Sequence, residues 1–304
     1  MKKALLVGIN YYNTPCKLNG CINDAVNLKE LFVSRLGYNV SNITLLRDDD
    51  PNPFVQPTRD NILNALIKIV SDSANCSEIC ICYSGHGSQM PDRNMEETDG
   101  ADELIVPVDY ITNGVIVDDD INRILQQSKC RTLLLFDSCC SGSVCDLPWC
   151  FEYKNQFQYN RRLENLSSLG KWKNPNVFMI SGCKDYQSSS DVYNYQTREY
   201  NGEFTATFIA CVKAIKWNMN ILLLYRNICM LIQQRTSTQL PTLSSSSSVA
   251  NMDISVATPV RSIPGMKDII GDKDTKKYAV VDMSTKHWVF SRNSGRKCRK
   301  LSFN

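Results

Sequence analysis

Short apolar runs alternating with amphipathic helical stripes predict an α/β fold, with a mainly parallel central sheet and helices on both faces. Two of those runs carry chemistry. Ile79-Cys80-Ile81-Cys82 leads into Tyr83-Ser84-Gly85-His86-Gly87, and Thr132-Leu133-Leu134-Leu135-Phe136 leads into Asp137-Ser138-Cys139-Cys140-Ser141-Gly142. Each reads as a buried strand that delivers one reactive side chain into a glycine-containing turn. In parallel sheets, ligands bind beyond the carboxyl ends of the strands. The 304 residues include only two histidines, so His86 at such a place is informative, whereas any one of fourteen cysteines is not.

In chain order, Lys3 to Ile9 reads as a strand. Asp24 to Leu36 reads as a helix with Ala25, Leu28, Leu31, Phe32 and Leu36 on one face. Asn42 to Leu46 is a second strand. A helix from Thr58 to Val70 follows, with Thr58 as N-cap, Asn61 three residues on, and a stripe of Ile62, Leu63, Leu66, Ile69 and Val70. After the strand before His86 come a short strand at Leu104 to Val108, a helix at Asp118 to Gln127, and the strand before Cys139. Asn176 to Ser181 is a further strand, and Phe204 to Lys216 and Ile221 to Gln233 are helical. Leu147 to Asn174 is polar and shows no clean period, which predicts an exposed loop. The five serines within Leu243 to Val249 predict a linker or sheet-edge loop, and beyond Ser255 the pattern is weak.

Composition excludes several classes. A hydrophobic content of 43% is ample for a buried core. The net charge of +3, from 34 basic and 31 acidic residues, is too balanced to argue for a nucleic-acid partner. No apolar stretch is long enough for a membrane span. The start, Met1 to Asn10, has too short an apolar run and no small-residue cleavage site for a signal peptide, so a cytoplasmic or nuclear location is expected. The cysteine spacings fit neither zinc knuckles nor a disulfide framework, so most of these thiols are expected to act as small core hydrophobes in a reducing compartment. Five basic side chains between Arg292 and Lys300 read as a solvated tail, and His287 as a surface residue.

A free thiol is mostly protonated at neutral pH, so a cysteine nucleophile needs a neighbouring base. His86 and Cys139 lie just past the carboxyl ends of their strands and can converge if those strands are neighbours. No nucleophile elbow, P-loop or dinucleotide fingerprint follows a strand, which leaves serine-hydrolase and nucleotide-binding chemistry remote.

The assembled residues resemble the metacaspases, calcium-dependent cysteine peptidases of the caspase-like fold. Five blocks match in order: Leu5 to Asn10, Leu18 to Ala25, Tyr83 to Gly87, Asp99 to Asp109, and Asp137-Ser138-Cys139. Ser181 to Asp185 and Asn201 to Thr205 also fit, so the likeness covers roughly residues 1–248. It implies a caspase-like sandwich over residues 1–250: a large-subunit-like part at 1–147, a connecting loop at 148–175 and a small-subunit-like part at 176–250. Residues 251–304 would be an extension of open role, and no prodomain is expected before the first strand.

The resemblance implies His86 as general base and Cys139 as nucleophile, with backbone N–H groups around Gly87 and Cys139 as oxyanion donors. It also implies an S1 pocket for Arg or Lys formed by Cys21, Asp24, Ser84 and Asp137. Carboxylates near the nucleophile would receive a guanidinium or ammonium through charge-assisted bonds. Asp24 also fits a helix N-cap. The implied calcium ligands are Asp102, Asp118, Asp119 and Asp146, and grouped hard oxygens suit Ca²⁺. The run Asp118-Asp119-Asp120 would also complement a helix dipole. Because Asp146 follows Cys139 closely, bound calcium would order the nucleophile loop and act as an activator. Expected self-cleavage sites are Lys154, Arg161, Arg162, Lys171 and Lys173. The chain departs from many relatives in carrying Cys140 where they have histidine.

The expected protein is therefore a monomeric, calcium-activated cysteine endopeptidase acting on protein or peptide substrates with Arg or Lys at P1, with no nucleic-acid or membrane partner. Two alternatives stay open: a caspase-like peptidase of different P1 preference, and a catalytically silent scaffold or protein-quality-control factor.

Overall fold

The computed structural model describes residues 1–12, 14–91, 101–139, 141–155, 158–163, 170–182, 191–194, 199–215, 218–235, 239–255, 268–269 and 280–281. In order, the elements are β1 (Lys2–Gly8), α1 (Cys21–Ser34), β2 (Ile43–Arg47), α2 (Arg59–Asp72), β3 (Glu78–Ser84), β4 (Gly87–Pro91), β5 (Ala101–Ile105), α3 (Tyr110–Asn113), β6 (Ile116–Val117), α4 (Asp118–Leu125) and β7 (Arg131–Asp137). They continue with β8 (Trp149–Asn155), β9 (Gln158–Leu163), β10 (Val177–Ser181), β11 (Asp191–Asn194), β12 (Glu199–Gly202), α5 (Glu203–Ala214), β13 (Met219–Asn220), α6 (Ile221–Arg235), β14 (Thr242–Ser245) and β15 (Asp253–Ile254). Two short strands, β16 (Asp268–Ile269) and β17 (Val280–Val281), pair with each other.

The main sheet has eight strands in the order β2-β1-β3-β7-β10-β14-β8-β9. The first five run parallel, and β14, β8 and β9 are added antiparallel. Side chains alternate across a strand, so residue parity decides which face each one covers. Ala4 and Leu6, Cys80 and Cys82, Leu133 and Leu135, and Phe178 and Ile180 pack with α1, α5 and α6. Leu5 and Val7, Ile79 and Ile81, Leu134 and Phe136, and Val177 and Met179 pack with α2 and α4. Both faces of these strands are thus buried, which is why their sequences read as continuous apolar runs rather than alternating ones. Thr58 caps α2 as expected, its Oγ1 accepting the Asn61 N–H at 3.3 Å. No helix among the described residues is long and apolar enough to cross a membrane.

Three expectations are corrected. The segment read as a structureless connecting loop at 148–175 contains β8 and β9, which close that end of the sheet. The signal was the aromatic alternation Trp149, Phe151, Tyr153, whose rings pack on the α1/α5/α6 core. The serine run is not an edge: Thr242–Ser245 lies between β10 and β8, with Ser244 and Ser245 buried. Serine is small enough for a crowded interior strand whose backbone is paired on both sides. Third, Asp24 is not the N-cap of α1. That helix starts three residues earlier, and the Asn10 side-chain oxygen accepts the N–H groups of Cys21 and Ile22 at 3.0 and 3.3 Å.

Candidate active site

β3 and β7 are hydrogen-bonded neighbours, with Ser84 opposite Asp137. The chain then continues two residues on each strand, to His86 and to Cys139, so both emerge at the same place beyond the sheet. The Gly85 N–H reaches the Asp137 carbonyl at 3.4 Å. Gly87 lies so close to the nucleophile turn that a Cβ there would stand 2.1 Å from the Cys139 carbonyl oxygen, which only glycine permits. His86 and Cys139 are both buried.

The loop between β1 and α1 holds the imidazole. Asp48 anchors it, its two carboxylate oxygens accepting the N–H groups of Asn10 and Tyr12 at 2.8 and 3.3 Å. Within the loop the Leu18 N–H donates to the Asn10 carbonyl at 2.8 Å, and the Cys16 N–H donates to Thr14 Oγ1 at 3.2 Å. This sets the Cys16 carbonyl 2.6 Å from His86 Nε2. A carbonyl can only accept, so Nε2 carries the ring proton and Nδ1 is the basic nitrogen of the neutral imidazole. Burial lowers the His86 pKa, and the Cys16 carbonyl opposes that shift. His86 therefore stays a free base at neutral pH, as a general base must.

The expected pocket residues converge on the α1/α5 side. Ser84 and Asp137 share the parity of the residues that face those helices. The Ser84 hydroxyl donates to Asp24 Oδ2 at 2.7 Å. Asp24, fully buried, also accepts the Gly202 N–H on both oxygens, at 2.9 and 3.1 Å. Asp137 Oδ2 accepts the Thr205 N–H at 2.9 Å. A Cβ on Gly202 would stand 2.0 Å from Asp137 Oδ2 and 2.9 Å from Asp24 Oδ2, so the two carboxylates flank one point at the N-terminus of α5. Cys21 is buried one turn earlier on α1. Asn23 and Asn27 complete the docking of α1 on β12, donating to the Tyr200 carbonyl and to Asn201 Oδ1, both at 2.9 Å.

A second acidic group forms at the start of α4. Oxygens of Asp118, Asp119 and Asp146 lie within 4.8 Å of one another, and Asp118 and Asp146 are buried. Asp146 adopts a left-handed backbone, φ 45°, which aspartate tolerates better than most residues. Asp102, buried on β5, is not part of that group. Its neighbour Glu103 bonds it instead, donating its N–H to Asp118 Oδ2 at 2.6 Å. The Glu103 carboxylate accepts the Ser143 hydroxyl at 2.5 Å and the Gln89 amide at 2.9 Å. Asp120 faces outward and pairs with Arg123 and Arg59.

Among the expected self-cleavage positions, Arg161 is exposed on β9, stacks 5.2 Å over the Trp149 ring and donates to the Ser248 carbonyl at 2.9 Å. Lys154 and Arg162 lie on β8 and β9, and their side chains fall outside the described residues. Lys171 and Lys173 are exposed on either side of the buried Trp172. Cys140, His287, the 183–185 part of one matching block and the basic tail also fall outside the described residues.

Comparison with protein families matches residues 2–148 to the metacaspase peptidase C14 domain. This region belongs to the metacaspase family. Metacaspase-1 of Plasmodium falciparum is 38% identical over 232 residues, 72% of this chain and 35% of that one. Metacaspase-1A of Aspergillus oryzae is 46% identical over 153 residues, 49% of this chain and 36% of that one. The chain thus spans about a third of the length of these metacaspases. A protein of Geobacter sulfurreducens aligns in three dimensions over 83% of this chain and 97% of its own, with a TM-score of 0.53 and 22% identity. The likeness, the sheet order and the flanking helices agree on an α/β sandwich with a mainly parallel central sheet. Reasoning from sequence missed Tyr11, the Cys16 carbonyl, Glu103, Ser143, Gly202 and Thr205. Glu103, Gly202 and Thr205, inside matching blocks, carried a visible signal.

Proposed function

We propose that this metacaspase domain is a cysteine endopeptidase that cuts proteins after Arg or Lys. The observation that carries the reading is the Ser84–Asp137 register, which sets a histidine and a cysteine side by side and a pair of carboxylates behind them. Nδ1 of His86 takes the Cys139 thiol proton, and the thiolate attacks the scissile carbonyl. The imidazolium then protonates the leaving amine, and water hydrolyses the thioester with His86 again as base. Asp24 and Asp137 receive the P1 cation through charge-assisted hydrogen bonds.

Calcium is the proposed activator. Three carboxylates within 4.8 Å suit a hard cation, and Asp118, Asp119 and Asp146 would hold it. Bound there, the ion would compensate three like charges and order the segment from Cys139 to Asp146. Self-cleavage belongs to the proposal at Lys171 or Lys173, whose exposed backbone precedes β10. Arg161 and Arg162 are paired with Phe151 and Cys150 in the sheet and would have to be peeled from it. A monomer in the cytosol or nucleus completes the proposal, on the balanced charge and a composition rich in thiols.

The test is initial-rate cleavage of fluorogenic peptides ending in Arg, Lys, Asp or Asn, in calcium and in chelator, beside Cys139→Ala. Calcium-dependent cleavage after Arg or Lys that vanishes in the variant is the expected result. Folded protein that cleaves none of the peptides would move the assignment to a catalytically silent scaffold.

A further inference from the structure

We propose that Tyr11 and Tyr83 are positioning residues for His86, their two phenol hydroxyls clamping both backbone polar groups of the histidine. This deepens the peptidase reading, on which it rests for the role of His86.

The geometry closes as a proton count. Tyr11 Oη lies 2.6 Å from the Val106 carbonyl and accepts the His86 N–H at 2.9 Å. Tyr83 Oη lies 2.8 Å from the His86 carbonyl and accepts the Val106 N–H at 3.2 Å. Each phenol has one proton, and the shortest acceptors take them: Val106 for Tyr11 and His86 for Tyr83. The two oxygens stand 3.1 Å apart, between the peptides of His86 and Val106. All four residues are buried; the Val106 N–H also donates directly to the His86 carbonyl at 3.2 Å, so the Tyr83 hydroxyl braces an existing bond, while the His86 N–H relies on Tyr11. Burial also raises both phenol pKa values, so neither loses its proton at physiological pH.

Three further contacts tie the pair to this turn rather than to the core in general. The Tyr11 ring packs on the imidazole, centroids 4.6 Å apart and tilted by 40°. A Cβ on Gly85 would stand 2.7 Å from Tyr83 Oη and 3.0 Å from Tyr11 Oη, so the turn needs glycine because the phenols fill that space. Tyr11 itself has φ 52°, a left-handed backbone that disfavours bulky side chains. Two phenylalanines would fill the same volume without burying two hydroxyls. The hydroxyls answer the polar groups of His86 and Val106. Among the described residues, the titratable groups facing the turn are Tyr11 from the β1–α1 loop, Cys21 on α1, Tyr83 on β3 and Cys139 beyond β7, and none of them is a carboxylate.

The experiment compares Tyr11→Phe and Tyr83→Phe with Tyr38→Phe in the full chain. Tyr38 is an equally buried control at the other end of the sheet, its hydroxyl 2.7 Å from Glu78 Oε1. With two histidines in the chain, imidazole NMR titration resolves His86 directly, and His287→Gln assigns it. In the two active-site variants kcat is expected to fall about 10- to 100-fold with KM changed less than about threefold, as for a base displaced by a fraction of an ångström. The His86 titration should also move up towards the ordinary histidine value as the turn opens to water, while Tyr38→Phe leaves both readings at the wild-type level. A shift in either variant supports the proposal. Wild-type titration and wild-type kcat in both overturn it, as does failure of both to fold while Tyr38→Phe folds. If the wild-type chain cleaves no peptide, the peptidase reading fails separately, and the titration still decides the positioning role.

Discussion

The chain builds two acidic clusters around the turn that carries Cys139, and they differ in how much of their charge the fold compensates. Asp24 and Asp137 come from α1 and β7, each with an oxygen within 2.9 Å of one point beside Gly202. Ser84, Gly202 and Thr205 each supply a donor to one or the other. Gly202 and Thr205 belong to the first turn of α5, whose dipole favours negative charge. Asp118, Asp119 and Asp146 instead close on one another within 4.8 Å. The first cluster is compensated by donors of the fold, and on the proposed reading its remaining capacity would take a substrate cation. The second gathers three like charges; Asp118 accepts the N–H groups of Glu103 and Asp119 at 2.6 and 2.8 Å, and a bound cation would balance the rest. Residue type alone does not separate the two roles; the donors around each carboxylate do.

The sharpest break of this contrast is at Asp137. Asp137→Ala should lower kcat/KM for Arg and Lys peptides by on the order of 10²- to 10³-fold, the usual cost of truncating one partner of a buried charge pair. Alkylation of Cys139 by iodoacetamide should stay within about twofold, because the reagent carries no cation for the pocket to recognise. If neutral P1 peptides lose as much as Arg peptides, the pocket assignment is wrong.

Stability should respond with opposite signs in the two clusters. Asp24→Ala strands the Gly202 N–H and the Ser84 hydroxyl in a fully buried place, so urea unfolding should show a loss of about 2 to 4 kcal/mol. Asp119→Asn, measured in chelator, should be neutral or stabilising by about 0.5 kcal/mol, because it relieves like-charge repulsion. The same substitution should weaken calcium binding by about 10- to 100-fold, read by terbium luminescence or by the calcium-induced rise in Tm. Loss of stability for Asp119→Asn in chelator would mean that this cluster, too, is compensated from within.

A smaller effect tests the link between cluster and nucleophile. Glu103 joins the two, with its N–H on Asp118 and its carboxylate on Ser143, whose carbonyl accepts the Asp146 N–H at 2.7 Å. Glu103→Gln keeps the backbone bond and weakens the side-chain one. It should leave calcium affinity within about threefold while reducing activity at saturating calcium by about 3- to 10-fold. Equal changes in both would reduce Glu103 to a part of the metal site.

Much of this site was legible before any coordinates. His86 stood out because histidine is scarce and followed an apolar run, and the two strands it needed are indeed neighbours. Elements buried on one continuous face or with a clear cap, such as α2 with Thr58, announced themselves. The misreadings share one cause: signals that depend on partners far away in sequence. The serines of β14 read as a loop because only the strands on either side make a buried hydroxyl tolerable. The aromatic alternation of β8 was diluted by lysine, asparagine and glutamine. Tyr11, Cys16 and Glu103 act through a phenol, a backbone carbonyl and a bridging carboxylate, and none of these forms a local pattern. Asp24 keeps its place among the expected pocket carboxylates and loses only the alternative cap role, because Asn10, eleven residues before Cys21, caps the helix.

The smallest prediction asks whether either acidic cluster controls the dyad. The His86 pKa is lowered first by burial, with the Cys16 carbonyl opposing. A histidine neutral in the fold and free to protonate when unfolded contributes stability that is full above its unfolded pKa, near 6.5. That contribution is lost as the pH falls from there towards the folded value. In a Cys139→Ala background, where no thiolate can pair with the imidazolium, the chain should therefore lose more stability between pH 7.5 and 5.5 than the same chain carrying His86→Gln. Urea unfolding at the two pH values reads the difference, and an equal loss in both chains would mean that burial does not hold His86 neutral. The acid limb of kcat/KM in the intact enzyme should likewise lie below pH 6.5, and it should not move in Asp119→Asn. If the limb lay above 6.5 and fell when that acid was neutralised, the carboxylates would be setting the base, and the two clusters would have to be read as one electrostatic unit.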